Sequence, residues 1–476
     1  MSEPFPSLIV SAAGFAAQGA FAQAQADVLD PDPDVVARLD ALLRSRNAGV
    51  VAHFYMDPQL QGVLYALAWP HVFVSDSLLM ADRGVAMAKA GAGEIIVLGV
   101  DFMSENVRAI LDEAGYATTG CHRVAAEPIG CSLAEAAESR AYLAYLDEAA
   151  ATPKALHVVY INTSLRTKAE AQHRVPTITC TSSNVVRTVL QTFAQEPDAH
   201  VFFGPDTYMG HNLHALFESL LALPEPAIRA LHPAHDHASL RALLPRFHWF
   251  RQGNCVVHHM FGAKVVEQVA RDYADVDVTA HLEVPSEMFA LALAAQQRGR
   301  GVVGSTADIL RHVLARVDEA VARGSTERLR FVLGTEAGMV TAIVRGLRDR
   351  LARDPQLEVE IIFPVASEAI ATTQDDALRV IPGIAGGEGC STAGGCATCP
   401  FMKMNSLDAL FDLLERLPLA GDAVPRELAA FEPETYRETI AGSSIASLGT
   451  LPILHMRGFQ ASGRLPEALV ADMHAR

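Results

Sequence analysis

Three cysteines, Cys390, Cys396 and Cys399, crowd into the stretch "CSTAGGCATCPFMKMN". Read locally, they suggest a zinc site or a disulfide. Two further cysteines, Cys131 in "IGCSLAEA" and Cys255 in "GNCVVHHM", stand alone far upstream, and like Cys399 each precedes a helical pattern. Ser132 with Glu135 reads as a capping box directly after Cys131. A helix N-terminus stabilises thiolate, the form of sulfur that binds metal. Three thiolates drawn from distant parts of a chain suit a metal cluster better than a disulfide, which leaves one cysteine over. A [4Fe–4S] cluster takes four ligands, so three protein sulfurs leave one iron open to act as a Lewis acid on a hydroxyl. Cys390 and Cys396 then become accessory, a redox-sensitive pair with each other or with Cys399.

Other chemistry-capable residues sit at the ends of apolar runs. "GVVAHFY" ends in His53 and Tyr55, "HVVYINTS" carries Tyr160 and Asn162, and "VDVTAHLE" carries His281 and Glu283. Residues two apart on a strand share a face, so each pair is expected to point one way. A carboxylate such as Glu283 beside a metal suits proton transfer.

Such residues need elements to hold them, and the chain repeats one set of elements three times. A strand with a polar end comes first. An apolar run ending in hydroxyls before a helix follows: "VFVSDSLLMA" with Ser75 and Ser77, "TITCTSSNVV" with Ser182, Ser183 and Asn184, and "GVVGSTADIL" with Ser305 and Thr306. A third strand then runs into a Gly-containing loop, and the cysteine closes the set. Strand–loop–helix units also recur by chance, but here the order of all four features is kept in each copy. The fold class expected is α/β, with three similar α/β domains in a pseudo-threefold triangle around a central active site. The divisions read as an N-terminal extension 1–37, units 38–150, 151–272 and 273–415, and a partly helical C-terminal segment 416–476.

With 476 residues, 50% of them apolar and 20% charged, the chain is globular and long enough for several cores. A formal net charge of −17 argues against nucleic-acid binding, while helix N-termini can still hold small anions. Seven cysteines are too few for a disulfide-stapled scaffold. The Ala-rich start lacks the basic region of an export signal, no apolar run is long enough to span a membrane, and a cytoplasmic protein is expected. Cys180 reads as a buried strand end, and Cys121 also falls outside the cysteine set. The His-rich "LHPAHDHA" (His232, His235, His237) reads as a solvated loop in an insertion rather than a metal tract.

The series "AHFYMDPQLQ", "SDSLLMA", "VLGVDFMSENVRAIL", "GCSLAEA", "YINTS", "CTSSNVV", "FGPDTYMG", "GNCVVH", "GSTADI", "GTEAGM" and "CPFMKMNSL" resembles the quinolinate synthases, over about residues 48–415. The resemblance implies a transferase of NAD biosynthesis. It condenses iminoaspartate, supplied by L-aspartate oxidase, with dihydroxyacetone phosphate, and releases quinolinate, phosphate and water. It implies one oxygen-sensitive [4Fe–4S] cluster per chain on Cys131, Cys255 and Cys399. It also implies that Ser182, Ser183, Asn184 and Ser77 hold the phosphate and that Ser305 and Thr306 hold a carboxylate. His53 and Tyr55 would orient substrate, and Tyr160 and Asn162 would contact the triose or the condensed product. His281 and Glu283 would move protons, with Tyr55 and Tyr160 assisting. His258 would lie behind the cluster or on a carboxylate, while His259 faces solvent. Glu336 and Lys403 also lie in matching motifs, Lys403 either bracing the cluster loop or touching substrate. The sequence has "HLEV" where "HPEC" is frequent in that family, so the position of Val284 is not a ligand. Two rival readings remain at this point: another cluster-dependent dehydratase acting on a hydroxy acid, and a non-catalytic redox sensor built on Cys390, Cys396 and Cys399.

Overall fold

A computed structural model describes residues 4–364, 399–419 and 426–476. Each sequence repeat becomes a four-stranded parallel sheet, and the strand order is the same each time: second, first, third, fourth. The first sheet runs Val72–Ser75, Ala48–His53, Glu94–Leu98, Gly120–Arg123. The second runs Thr177–Cys180, Ala155–Tyr160, His200–Gly204, Phe247–Trp249. The third runs Gly301–Gly304, Asp277–His281, Leu329–Gly334, Val359–Ile362. The first strand of each repeat is buried along its whole length, as expected of a strand with both faces covered. The chain is α/β with several parallel sheets.

The fourth strand of each sheet was not read from the sequence. It has three or four residues in every copy. In chain order, among the described residues, it is the element before each cysteine: Gly120–Arg123 before Cys131, Phe247–Trp249 before Cys255, Val359–Ile362 before Cys399. The Ala-rich N-terminus, which carries no legible motif, forms a hairpin of Ser7–Ser11 and Gly14–Gln18. The hairpin extends the third sheet by antiparallel pairing with Val359–Ile362.

The chain divides into two compact units. One comprises Met1–Val100, Leu111–Ile129 and Val256–Pro433 and holds the first and third sheets. Its main core gathers Leu8, Val10, Ile309, Val313, Val317, Phe331, Leu333, Ile343 and Leu347, each contributing about 1.5–3 kcal/mol by burial. The helix Thr306–Arg323 supplies three of these at i, i+4 and i+8 (Ile309, Val313, Val317) and stops at Gly324, whose φ of 62° closes it in the left-handed region.

The other unit comprises Asp101–Ile110, Gly130–Cys255 and Glu434–Arg476 and holds the second sheet. The C-terminal helix Ile445–Ser462 lies across Leu165–Arg174 and Thr177–Cys180. The two helices approach so closely at Gly449 that a Cβ there would meet the Leu165 carbonyl oxygen at 2.4 Å. The His-rich insertion is not a solvated loop. His235 Nε2 bonds the Leu190 carbonyl at 2.8 Å, His232 Nε2 meets Gln191 Oε1 at 3.0 Å, and His237 Nε2 bonds the Leu223 carbonyl at 2.8 Å. Imidazoles committed to holding Glu225–Leu231 and His237–Leu243 in place are not arranged around a metal. No helix among the described residues is long and apolar enough to cross a membrane.

Candidate active site

In the first of these units, His53 and His281 end their strands, and the chain turns immediately afterwards. The pairs His53/Tyr55 and His281/Glu283 are therefore not strand neighbours on one face. Each is a small turn in which the backbone N–H of the second residue donates to Nδ1 of the histidine, at 3.2 Å for Tyr55 and 3.4 Å for Glu283. An Nδ1 that accepts leaves the single proton of a neutral imidazole on Nε2. Burial keeps both rings neutral. It pulls His53 down to about 3, with the Glu283 charge opposing and His281 reinforcing. It pulls His281 down to about 4, against the same Glu283 charge.

Glu283 is the hub of this turn pair. Its Oε2 lies 2.9 Å from Nδ1 of the fully buried His258 and 3.5 Å from Nδ1 of His281. The His258 and His281 rings stack at 4.9 Å, and Tyr55 meets His258 edge-on at 6.1 Å. Burial and the charges of Glu283 and Glu336 push the Tyr55 hydroxyl well above its ordinary range, while hydrogen bonds to Thr335 and Thr306 oppose them. Tyr55 thus keeps its proton as a donor. Two neutral imidazoles, one phenol and one carboxylate so arranged can orient an oxyanion and move a proton.

These buried neutral histidines carry a stability consequence. Below pH 6.5 the unfolded chain takes up a proton at each, whereas folded His53 and His157 wait until about 3 and folded His281 until about 4. Their neutral burial is tolerated fully above 6.5 and opposes folding increasingly as pH falls, by about 1.4 kcal/mol per pH unit for each histidine. Urea unfolding between pH 7 and 4.5 is expected to show that slope. His157→Gln, which removes a buried ring bonded at 2.8 Å to the Tyr142 hydroxyl, is expected to reduce it by one group's share.

Of four further residues that position this site, Glu336 and Lys403 were placed in matching motifs, whereas Gln61 and Asn405 were missed in the sequence. Glu336, 2% exposed, receives the Cys399 backbone N–H. Burial and the Glu283 charge push it well above the carboxylate range and favour its protonated form, with the Cys399 N–H opposing. Gln61, without exposed surface, donates to the carbonyls of Phe54 (2.9 Å), Met56 (2.7 Å) and Gly338 (2.9 Å), tying the turn after His53 to the turn after Glu336. Asn405 grips both the N–H and the carbonyl of Gly99, at 2.9 and 3.1 Å, and so anchors the segment after Cys399 to the end of Glu94–Leu98. Burial lowers the Lys403 ammonium, while the charges of Asp57 and Cys399 oppose the change. The only signal for Gln61 and Asn405 was their place inside quoted motifs.

In the second unit, Cys131 is the N-cap of the short helix Ser132–Ala137. The expected capping box is absent: the Ser132 hydroxyl donates instead to the Asn254 carbonyl, 3.2 Å away and 122 positions on. Cys131 and Cys255 thus adjoin two residues in contact. The Cys255 loop is held by reciprocal bonds between Thr207 and Gly253, and a Cβ on Gly253 would meet the Pro205 carbonyl at 2.3 Å. Cys255 and Cys399 lead into single 3-10 turns, His258–Met260 and Met402–Met404, so only Cys131 stands at an α-helix N-terminus. None of the five cysteines among the described residues is in a disulfide. Cys131, Cys255 and Cys399 are half-buried, whereas Cys121 and Cys180 are buried, and burial pushes the Cys180 thiol well above its ordinary value. Each of these three half-buried thiols has the chemistry of a ligand to an iron–sulfur cluster. Cys390 and Cys396 lie outside the described residues.

Tyr160 ends its strand opposite Cys180, and the turn after it carries Asn162. Ser182 and Ser183 precede the helix Val185–Gln195, whose N-cap Asn184 makes no side-chain cap bond. Asn184 Oδ1 accepts the Thr181 N–H at 2.8 Å, and its buried Nδ2 has no hydrogen-bond partner among the described residues. The other two hydroxyl-bearing helix starts differ. Asp76 caps the helix that Ser77 begins, and Ser305 is engaged in a capping box with Asp308, leaving Thr306 beside Tyr55. Of the three, the Ser182 site alone keeps its first-turn amides free of a side-chain cap, the condition for an anion to take that place.

The model of the quinolinate synthetase A protein family matches residues 37–429. This chain belongs to that family. The chloroplastic quinolinate synthase of Nicotiana tabacum is 53% identical over 483 residues, covering 98% of this chain and 66% of the relative. The chloroplastic quinolinate synthase of Arabidopsis thaliana is 53% identical, covering 98% of this chain and 67% of that protein. The quinolinate synthase of Trichormus variabilis is 27% identical over 401 residues, covering 84% and 91%. The chain spans about two thirds of the length of the two plant relatives. Neither the hydroxy-acid dehydratase nor the redox sensor describes this family of enzymes. The cytoplasmic expectation is contradicted: both relatives at 53% identity are named chloroplastic.

Proposed function

We propose that this chain condenses iminoaspartate with dihydroxyacetone phosphate to quinolinate, releasing phosphate and water, in the pathway to NAD, with iminoaspartate supplied by an L-aspartate oxidase. The enzyme is a transferase built of α/β domains 38–150, 151–272 and 273–415 in a pseudo-threefold arrangement about a central active site. Cys131, Cys255 and Cys399 hold one [4Fe–4S] cluster with one iron not ligated by protein. What supports the reading most is the Ser132–Asn254 hydrogen bond, which joins the neighbours of two cysteines remote in sequence.

The cluster, when bound, supplies a Lewis-acidic iron that polarises a hydroxyl for loss as water. The chain's own residues do the rest. The uncapped start of Val185–Gln195, with Ser182, Ser183 and the Asn184 amide, holds the triose phosphate until it leaves as inorganic phosphate. Tyr160 and Asn162 hold the triose carbons. Ser77 lies on a helix start capped by Asp76, so its hydroxyl remains available to the phosphate. Ser305 caps its own helix, which leaves the Thr306 hydroxyl, with His53 and Tyr55, to orient the carboxylates of the aspartate-derived half. Glu283 takes a proton from carbon during tautomerisation. His258 Nδ1 holds the Glu283 carboxylate, His281 accepts the Glu283 backbone N–H, and Tyr55 returns a proton to oxygen. Anaerobic reconstitution with iron and sulfide, followed by assay with both substrates, is expected to yield quinolinate. A loaded chain that forms none would overturn the proposal.

A further inference from the structure

Lys168 has no exposed surface, which is rare for lysine. It lies in the helix Leu165–Arg174, and its Nζ donates back to the carbonyl of Ile161 at 3.2 Å and to that of Thr163. These are the carbonyls on either side of Asn162. The Thr163 hydroxyl holds the Tyr160 carbonyl at 3.0 Å, and the Thr163 N–H returns to Ile161 at 2.7 Å, so the turn from Tyr160 to Thr163 is tied at every carbonyl except that of Asn162 itself.

The counter-charge is Glu105, 4% exposed, whose carboxylate accepts the Leu165 N–H at 2.8 Å and a hydrogen bond from the Tyr436 hydroxyl. Burial pulls the Lys168 ammonium down and pushes the Glu105 carboxyl up, and each partner's charge opposes the change. Burying two groups that carry charge costs more than burying an apolar pair of like volume, so this lysine and glutamate are a poor device for stability alone. What it provides is geometry: an ammonium directs three donors, and two of them close on the turn.

We propose that Lys168 is a positioning residue, holding the Ile161–Thr163 turn so that Asn162 is presented to dihydroxyacetone phosphate, with Glu105 as its buried counter-ion. This rests on the reading of Tyr160 and Asn162 as triose contacts. Lys168→Met in the cluster-loaded full chain is expected to raise KM for dihydroxyacetone phosphate about tenfold, the loss of one oriented polar contact, and to lower the melting temperature by leaving Glu105 unpaired. The double variant Lys168→Met/Glu105→Gln is expected to recover most of the melting temperature yet keep the raised KM. A double variant with the parent KM would overturn the proposal, since a purely structural pair is repaired by neutralising both members. Asn162→Ala separates the two readings: if it too leaves KM unchanged, the triose contact itself is wrong. Should the Lys168 variants not fold, hydrogen exchange on the parent holoenzyme decides. Dihydroxyacetone phosphate is expected to increase protection of the 161–168 backbone, and unchanged protection would count against the assignment.

Discussion

Each of the single changes Cys131→Ala, Cys255→Ala and Cys399→Ala is expected to leave a folded chain that holds no cluster after anaerobic reconstitution. Iron should fall from about four per chain to under one, because three thiolates are already the fewest that keep a cube in place. Quinolinate formation should fall by about a thousandfold or more, the several kcal/mol that a Lewis-acidic metal contributes. The informative result is that the three losses are equal. A zinc or disulfide site confined to the neighbourhood of Cys399 predicts that the first two variants keep their metal. Cys180→Ala is the matching control. That thiol is fully buried at the end of Thr177–Cys180, so its removal should leave iron content unchanged. Iron analysis and the charge-transfer absorbance of the reconstituted variants make the comparison.

The reach of the sequence is clearest in these cysteines. Their grouping rests on the repeat, which supplies three equivalent positions without any knowledge of distances, and the iron analysis above is its test. The same repeat did not disclose the fourth strand of each sheet, because three or four residues such as Phe247–Trp249 carry no periodicity of their own and become a strand only by pairing with His200–Gly204. The N-terminal hairpin escaped for a like reason: its pairing partner, Val359–Ile362, lies some 350 positions away. Local rules misled at two points. Ser132–Glu135 has the spacing of a capping box, but the Asn254 carbonyl competes for the Ser132 hydroxyl and wins. The two-residue spacing of His53 and Tyr55 suggests a shared strand face, but the strand ends at His53 and the pair forms a turn. Polar residues that work through backbone carbonyls, Gln61, Lys168 and Asn405, are invisible to pattern reading because the groups they bind have no side-chain identity.

Glu283→Gln is expected to lower the rate of quinolinate formation at saturating substrate by about 10²–10⁴, the range for loss of a positioned base, while iron content stays at the parent level. Glutamine has nearly the same shape and its carbonyl oxygen can still accept from His258 Nδ1, now at 2.9 Å, so the buried rings need not move. What disappears is a proton acceptor and a negative charge. That charge helps to raise the Tyr55 hydroxyl and the Glu336 carboxyl, and it opposes the lowering of His53 and His281. Removing it should therefore bring the Tyr55 and Glu336 values down and depress the two histidines further, so His53 and His281 stay neutral across the working range. Glu336→Gln gives the contrast. Burial and the Glu283 charge favour the protonated form of its carboxyl, and an amide imitates a protonated carboxyl closely. A loss of about tenfold or less is expected there, since no base is removed. If instead Glu336→Gln proved the more damaging of the two, the proton-moving carboxylate would be Glu336, and Glu283 would serve only to hold His258 and His281 in register.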